Sequence, residues 1–100
     1  MHNTDILTLS IDEIWLAIIF KALGNPTRLA ILKHLSACQP CKCGNIVADL
    51  PLAQSTVSQH LKVLREAGLI RGTIERSAIC YCIDIDTLNR FRQIISEMNW

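Results

Sequence analysis

From Gln54 to Ile70 the chain reads Gln-Ser-Thr-Val-Ser-Gln-His-Leu-Lys-Val-Leu-Arg-Glu-Ala-Gly-Leu-Ile. Val57, Leu61 and Leu64, with Ala67 and Leu69 just beyond, recur at helical spacing and give one apolar face. Gln54, Ser55, Ser58, Gln59, Lys62 and Arg65 occupy the rest. This outer face is short, hydrogen-bonding and basic. A helix made only for solvation more often carries Glu and Lys pairs there. Small polar side chains crowded at a helix N-terminus, just after the Pro51-Leu52 turn, suit an element that approaches phosphates and base edges in a major groove.

One hundred residues make a single domain, residues 1–100, with one modest core. Half of them are apolar and the formal charge is only +1, which excludes a disordered chain and gives no global basic signal. The charge is unevenly placed, however. Residues 1–15 hold Asp5, Asp12 and Glu13 without Lys or Arg, whereas Lys62, Arg65, Arg71 and Arg76 stand against only Glu66 and Glu75 between Gln54 and Arg76. The apolar run Ile14 to Leu23 is interrupted by Lys21 and stops at Gly24-Asn25-Pro26, well short of a bilayer span. No basic leader precedes it and no small-residue cleavage site follows, so a cytoplasmic protein without a membrane segment is expected.

Ser10-Ile-Asp-Glu13 fits a capping box that opens a helix over about 11–24. Asn25 caps the next helix with Pro26 at its first position, and Leu29, Ile31, Leu32 and Leu35 form its stripe to about Ser36. Pro40 stops any continuation, and a short extended piece fits Cys38 to Cys43. A short helix from about 44 buries Ile46, Val47 and Leu50, and after Pro51-Leu52-Ala53 the helix of the opening paragraph runs to Ala67, with Gly68 as its left-handed end. The period then changes. Leu69–Glu75 and Ala78–Asp84 alternate as two strands about a turn at Arg76-Ser77. Asp84 or Asp86 caps a last helix, about 86–98, with the stripe Leu88, Phe91, Ile94, Ile95 and Met98.

The fold class is therefore mainly α with some β (α+β): a helix-turn-helix over about 44–67, a two- to three-stranded β-wing over about 69–84, and flanking N- and C-terminal helices. A monomer this small has little core to cover Trp15, Ile18 and Ile19 on the first helix and Leu88, Phe91 and Ile95 on the last, so these are the expected dimerisation residues.

Two segments closely resemble the ArsR/SmtB family of bacterial winged-helix repressors: Lys21-Ala-Leu-Gly-Asn-Pro-Thr-Arg-Leu-Ala-Ile-Leu-Lys-His-Leu35 and Ser55-Thr-Val-Ser-Gln-His-Leu-Lys-Val-Leu-Arg-Glu-Ala-Gly-Leu69. The resemblance spans about 14–91. It implies a homodimer joined through the first and last helices, bound to an imperfect inverted repeat of double-stranded DNA, with transcription relieved by an inducer. By position, Gln54, Ser55, Thr56, Ser58, Gln59 and His60 fall on the family's recognition helix. Ser55, Ser58 and Gln59 are the expected base or phosphate contacts, Lys62 and Arg65 the expected phosphate contacts, and Arg71, Arg76 and Ser77 fall on the wing. Thr56 also suits helix packing, and His60 a satisfied structural histidine.

Five cysteines, an odd number with two Cys-x-Cys spacings, make a poor disulfide framework and a good soft-metal one. Cys41-Lys-Cys43 resembles the pair that thiol-dependent members of the family use for arsenite, cadmium or lead. Arsenical sensors usually add a cysteine three positions on, and here that position is Ile46, so such a set must be completed elsewhere. Cys80-Tyr-Cys82 lies on a strand where alternate residues share a face. In winged helices the short strand before the helix-turn-helix pairs with the returning wing strand, which sets Cys41 or Cys43 opposite Cys80 or Cys82. Opposed residues have Cβ atoms about 5 Å apart, close enough to share an ion or to oxidise together. Cys38 is a further candidate ligand. No cofactor is obligatory; As(III), Cd(II), Zn(II) or another thiophilic ion is the candidate inducer, with three thiolates suiting As(III) and four suiting Zn(II) or Cd(II).

The alternatives are a redox or persulfide switch at the same thiols, or cysteines that merely pack as small apolar side chains. A histidine site on the last helix is not available, since residues 86–98 contain no histidine. A thiol oxidoreductase using Cys38-Gln-Pro-Cys41 lacks the strand and long helix that such a motif needs, so no enzymatic activity is expected. A protein-binding adaptor would favour an acidic or apolar recognition face, and this one is neither.

Overall fold

The computed structural model describes residues 10–38, 41–43, 50–75 and 78–98, with backbone alone at 41–43, 75 and 78. In chain order the elements are α1 (Ile11–Leu23), α2 (Pro26–Ala37), β1 (Cys41–Cys43), α3 (Gln54–Glu66), β2 (Ile70–Glu75), β3 (Ala78–Ile83) and α4 (Ile85–Glu97). The short helix expected from about 44 and the turn at Arg76-Ser77 lie outside the described residues.

Local chemistry sets each boundary. Ser10 Oγ accepts from Glu13 N at 3.1 Å while Ser10 N donates to the Glu13 carboxylate at 3.4 Å, which completes the capping box of α1. Asn25 Oδ1 accepts from Thr27 N and Arg28 N at the start of α2, where Pro26 lacks a donor that would be orphaned anyway. At the end of α3, Leu69 N reaches back to Leu64 O at 3.0 Å and Gly68 N to Arg65 O at 3.0 Å. That closure needs a left-handed residue, and Gly68 supplies it with φ +84°. Asp84, rather than Asp86, caps α4 by accepting from Thr87 N at 3.0 Å.

The core is built from one stripe of each of the first three helices and the roots of the wing. Ile19 and Ala22 of α1, Ile31 and Leu35 of α2, and Val57, Leu61 and Leu64 of α3 enclose one another with Leu69, Ile70 and Ile83. Removing each of the Val, Leu and Ile side chains from water stabilises the fold by roughly 1.5–3 kcal/mol, so this cluster fixes how α3 is held. Ile19 was expected on the dimer-forming face. It is instead wholly enclosed, because the 3.6-residue turn carries it round from Ile18 onto the core side.

The large apolar residues of α1 that stay exposed are Ile11, Ile14, Ile18 and Phe20. No residue of α4 is fully buried, although Leu88 and Phe91 lie against the core and Phe91 meets Phe20 edge to face at 5.5 Å. Arg90 sits 4.3 Å over the Trp15 ring and donates to Asp12 at 3.2 Å, tying the two terminal helices together. Trp15 is half-buried, packed against the core as well as under Arg90. No single helix among the described residues is long and apolar enough to cross a membrane.

The three strands form one antiparallel sheet in the order β1-β3-β2. Ile70 pairs with Ile83 and Gly72 with Tyr81, and of these Ile70, Ile83 and Tyr81 lie in or against the core. Alternation then puts Arg71, Thr73, Cys80 and Cys82 on the other face.

Candidate nucleic-acid interface and cysteine face

On α3 the core stripe of Val57, Leu61 and Leu64 turns Gln54, Ser55, Thr56, Ser58, Gln59, Lys62 and Arg65 outward, all exposed. Ala53 occupies the N-cap and makes no side-chain capping bond, and the first turn holds no acidic residue. Ala53 therefore offers the leading N–H groups of α3 no side-chain acceptor, and the positive end of a helix favours an anion such as a phosphate. Alanine in place of the usual polar cap is a signal readable in the sequence that patterning alone overlooks.

His60 points the other way. It is half-buried, and its Nδ1 lies 3.2 Å from Arg28 Nη1, so it is a bracing residue rather than an outward base contact. Arg28 also donates through Nε to Ala22 O at 2.6 Å and through Nη2 to Lys21 O at 3.2 Å. One guanidinium thus joins the last carbonyls of α1, the first turn of α2 and the middle of α3. Periodicity gave no hint of Arg28, because its role is set by where two other helices end.

On the wing, Arg71 is exposed and lies 3.9 Å from Asp84. Arg76 and Ser77 lie outside the described residues. Ile74 and Ile79, paired across β2 and β3, leave an apolar exposed patch near the wing tip that charge-based reading missed.

The cysteines are arranged by the sheet. In the register of β1 with β3, Cys41 stands opposite Cys82 and Cys43 opposite Cys80, with Lys42 opposite Tyr81 between them. Four cysteine positions therefore share one face, the one turned away from Ile70 and Ile83. Cys80 is buried yet stands apart from the main core cluster, and Cys82 is half-buried. In the structure the sulfurs of Cys80 and Cys82 are each engaged in a disulfide. Cys38, a free thiol, ends α2, and its Sγ lies 4.0 Å from His34 Nε2. Among the described side chains, which do not include those of Cys41 and Cys43, no three His, Cys, Asp or Glu groups stand together as an ion site.

A helix with an outward polar face, seated on two core helices and followed by an antiparallel wing, defines the winged helix-turn-helix class of DNA-binding domains. A family model described as bacterial regulatory protein, arsR family, matches residues 25–71. The HTH-type transcriptional regulator MJ1325 of Methanocaldococcus jannaschii is 37% identical over 81 residues, which span 80% of this chain and 90% of the relative. The HTH-type transcriptional regulator CmtR of Mycobacterium tuberculosis is 39% identical over 79 residues, covering 77% of this chain and 64% of CmtR. An ArsR-like transcriptional regulator from Rhodococcus sp. RHA1 has the same fold, with a TM-score of 0.73 at 24% identity over 83% of this chain and 77% of that one. The chain belongs to the ArsR family of DNA-binding transcriptional regulators.

Proposed function

We propose that the protein is a homodimeric repressor that holds an imperfect inverted repeat through α3 and the β2–β3 wing. It releases the operator when Cys41, Cys43, Cys80 and Cys82 bind a thiophilic ion. The observation that carries this reading is the register, which sets two Cys-x-Cys segments opposite each other on one face of the sheet. The donor set fits such an ion: it is all sulfur, with no carboxylate or imidazole at those positions, and so suits As(III), Cd(II) or Zn(II) over Mg(II) or Ca(II). Dimerisation rests on the apolar surface left by Ile11, Ile14 and Ile18 beside a last helix with no fully buried residue. Ligation at β1 and β3 changes how the sheet is held against α3. By linkage, the factor by which the ion weakens DNA binding equals the factor by which DNA weakens ion binding.

The disulfides at Cys80 and Cys82 favour a second reading, in which oxidation of the same thiols is the signal. The two are separable. Arsenite, cadmium and zinc are titrated into reduced protein while thiolate-to-metal absorption and operator affinity are followed, and the series is repeated with Cys80→Ser/Cys82→Ser. The expected outcome is ion binding and loss of DNA affinity in the parent and neither in the variant. A variant that responds like the parent refutes the cluster. A parent that ignores ions but loses DNA on treatment with peroxide, reversibly with dithiothreitol, moves the assignment to the redox reading.

A further inference from the structure

Across the sheet, perpendicular to its strands, Cys41, Cys82 and Arg71 occupy one row and Cys43, Cys80 and Thr73 the next. Opposed positions on neighbouring antiparallel strands share a face with Cβ atoms about 5 Å apart. Arg71 therefore stands one strand from the cysteine face and is the one cation in the two rows. It is also on the wing, within the element expected to lie along the DNA backbone.

Its present partner holds it weakly. The side chain of Arg71 is 67% exposed and its Nε lies 3.9 Å from Asp84 Oδ2. An exposed pair at that distance contributes little. The other carboxylate oxygen of Asp84 is already committed to the cap of α4. The guanidinium is thus placed to exchange anions at small cost.

We propose that Arg71 is the positioning residue that couples the cysteine face to DNA affinity, an inference that rests on the thiol-sensor reading. In the ion-free protein its guanidinium contacts a backbone phosphate. Once the disulfides at Cys80 and Cys82 are reduced, four thiolates around a divalent cation carry −4 and +2, a net charge of −2 one strand away, and this draws the guanidinium off the phosphate. The sensor then acts on the wing through charge as well as through any movement of helices.

The test measures operator affinity by fluorescence anisotropy for reduced wild type, Arg71→Gln and Arg65→Gln, with and without cadmium and over a range of salt. Cadmium is expected to weaken wild-type binding by about 5- to 150-fold, the usual range of coupling between sites. In Arg71→Gln the ion-free salt slope falls by about one while the cadmium-bound slope matches wild type, and the cadmium factor shrinks at least threefold. Arg65→Gln loses slope in both states and keeps the wild-type factor. Arsenite with three thiolates forms a neutral complex, so its factor is expected to be equal in wild type and Arg71→Gln; a drop like that with cadmium would signal lost packing and overturn the charge mechanism. A cadmium factor unchanged by Arg71→Gln overturns this inference alone. A wild-type factor of one for every ion overturns the sensor reading, and this inference with it.

Discussion

Replacing Arg28 by Met keeps the aliphatic stem and removes the guanidinium, so it isolates the polar contacts that join α1, α2 and α3. Three bonds are lost: to Ala22 O at 2.6 Å, to His60 Nδ1 at 3.2 Å and to Lys21 O at 3.2 Å. The first two are partly buried, and a hydrogen bond involving a charged group contributes about 1.5–3 kcal/mol when shielded from water. The third is exposed and adds little. Taking the low end for half-buried groups, the expected loss is about 2–4 kcal/mol out of the roughly 5–15 kcal/mol of a small domain. At about 4–8 °C per kcal/mol for a domain of this size, Tm falls by roughly 8–32 °C. Urea titrations at one fixed protein concentration give the change, with the slope m as a check that the unfolded state is unaltered. Arg28→Lys is expected to recover only part of the loss, since one ammonium cannot reproduce the planar fork that meets two carbonyls of α1 and a ring nitrogen of α3. A cycle with His60→Ala should return a coupling of about 0.5–1.5 kcal/mol. A midpoint shift worth less than about 0.5 kcal/mol at constant m would refute the view that this guanidinium clamps α3 to the helices behind it.

Two further outcomes test the DNA and dimer surfaces. Ser58→Ala with Gln59→Ala should weaken binding at the preferred operator by about 1–3 kcal/mol and relax sequence choice, whereas Lys62→Ala should weaken all sequences alike and lower the salt slope by about one; unchanged affinity and preference in the double variant would exclude α3 as the reading element. Ile14→Glu with Ile18→Glu should turn a dimer into a monomer in sedimentation at micromolar protein, because each half-exposed isoleucine contributes up to roughly 1.5–3 kcal/mol on burial; a wild type that is already a well-folded monomer there would refute dimerisation through α1.

Local chemistry made much of the fold legible in advance. The Ser10–Glu13 box, the Asn25-Pro26 start of α2 and the left-handed Gly68 each act within a few residues, so the chain alone marked these boundaries to within a residue or two. The polar face of α3 was readable for the same reason, since a 3.6-residue period determines which side chains lie opposite Val57, Leu61 and Leu64. What the tertiary structure decided was every pairing between distant segments. Periodicity put Ile18 and Ile19 on one apolar run, and only the approach of α2 and α3 divided them into an exposed and an enclosed residue. His60, three residues after Val57 and four before Leu64, lies beside the core stripe by helical period alone, and what the tertiary structure added was its partner Arg28, thirty-two residues earlier. The cysteine pairs likewise became one face only when β1 took its register on β3, because a shift by one residue would have sent Cys41 and Cys43 to the opposite side of the sheet.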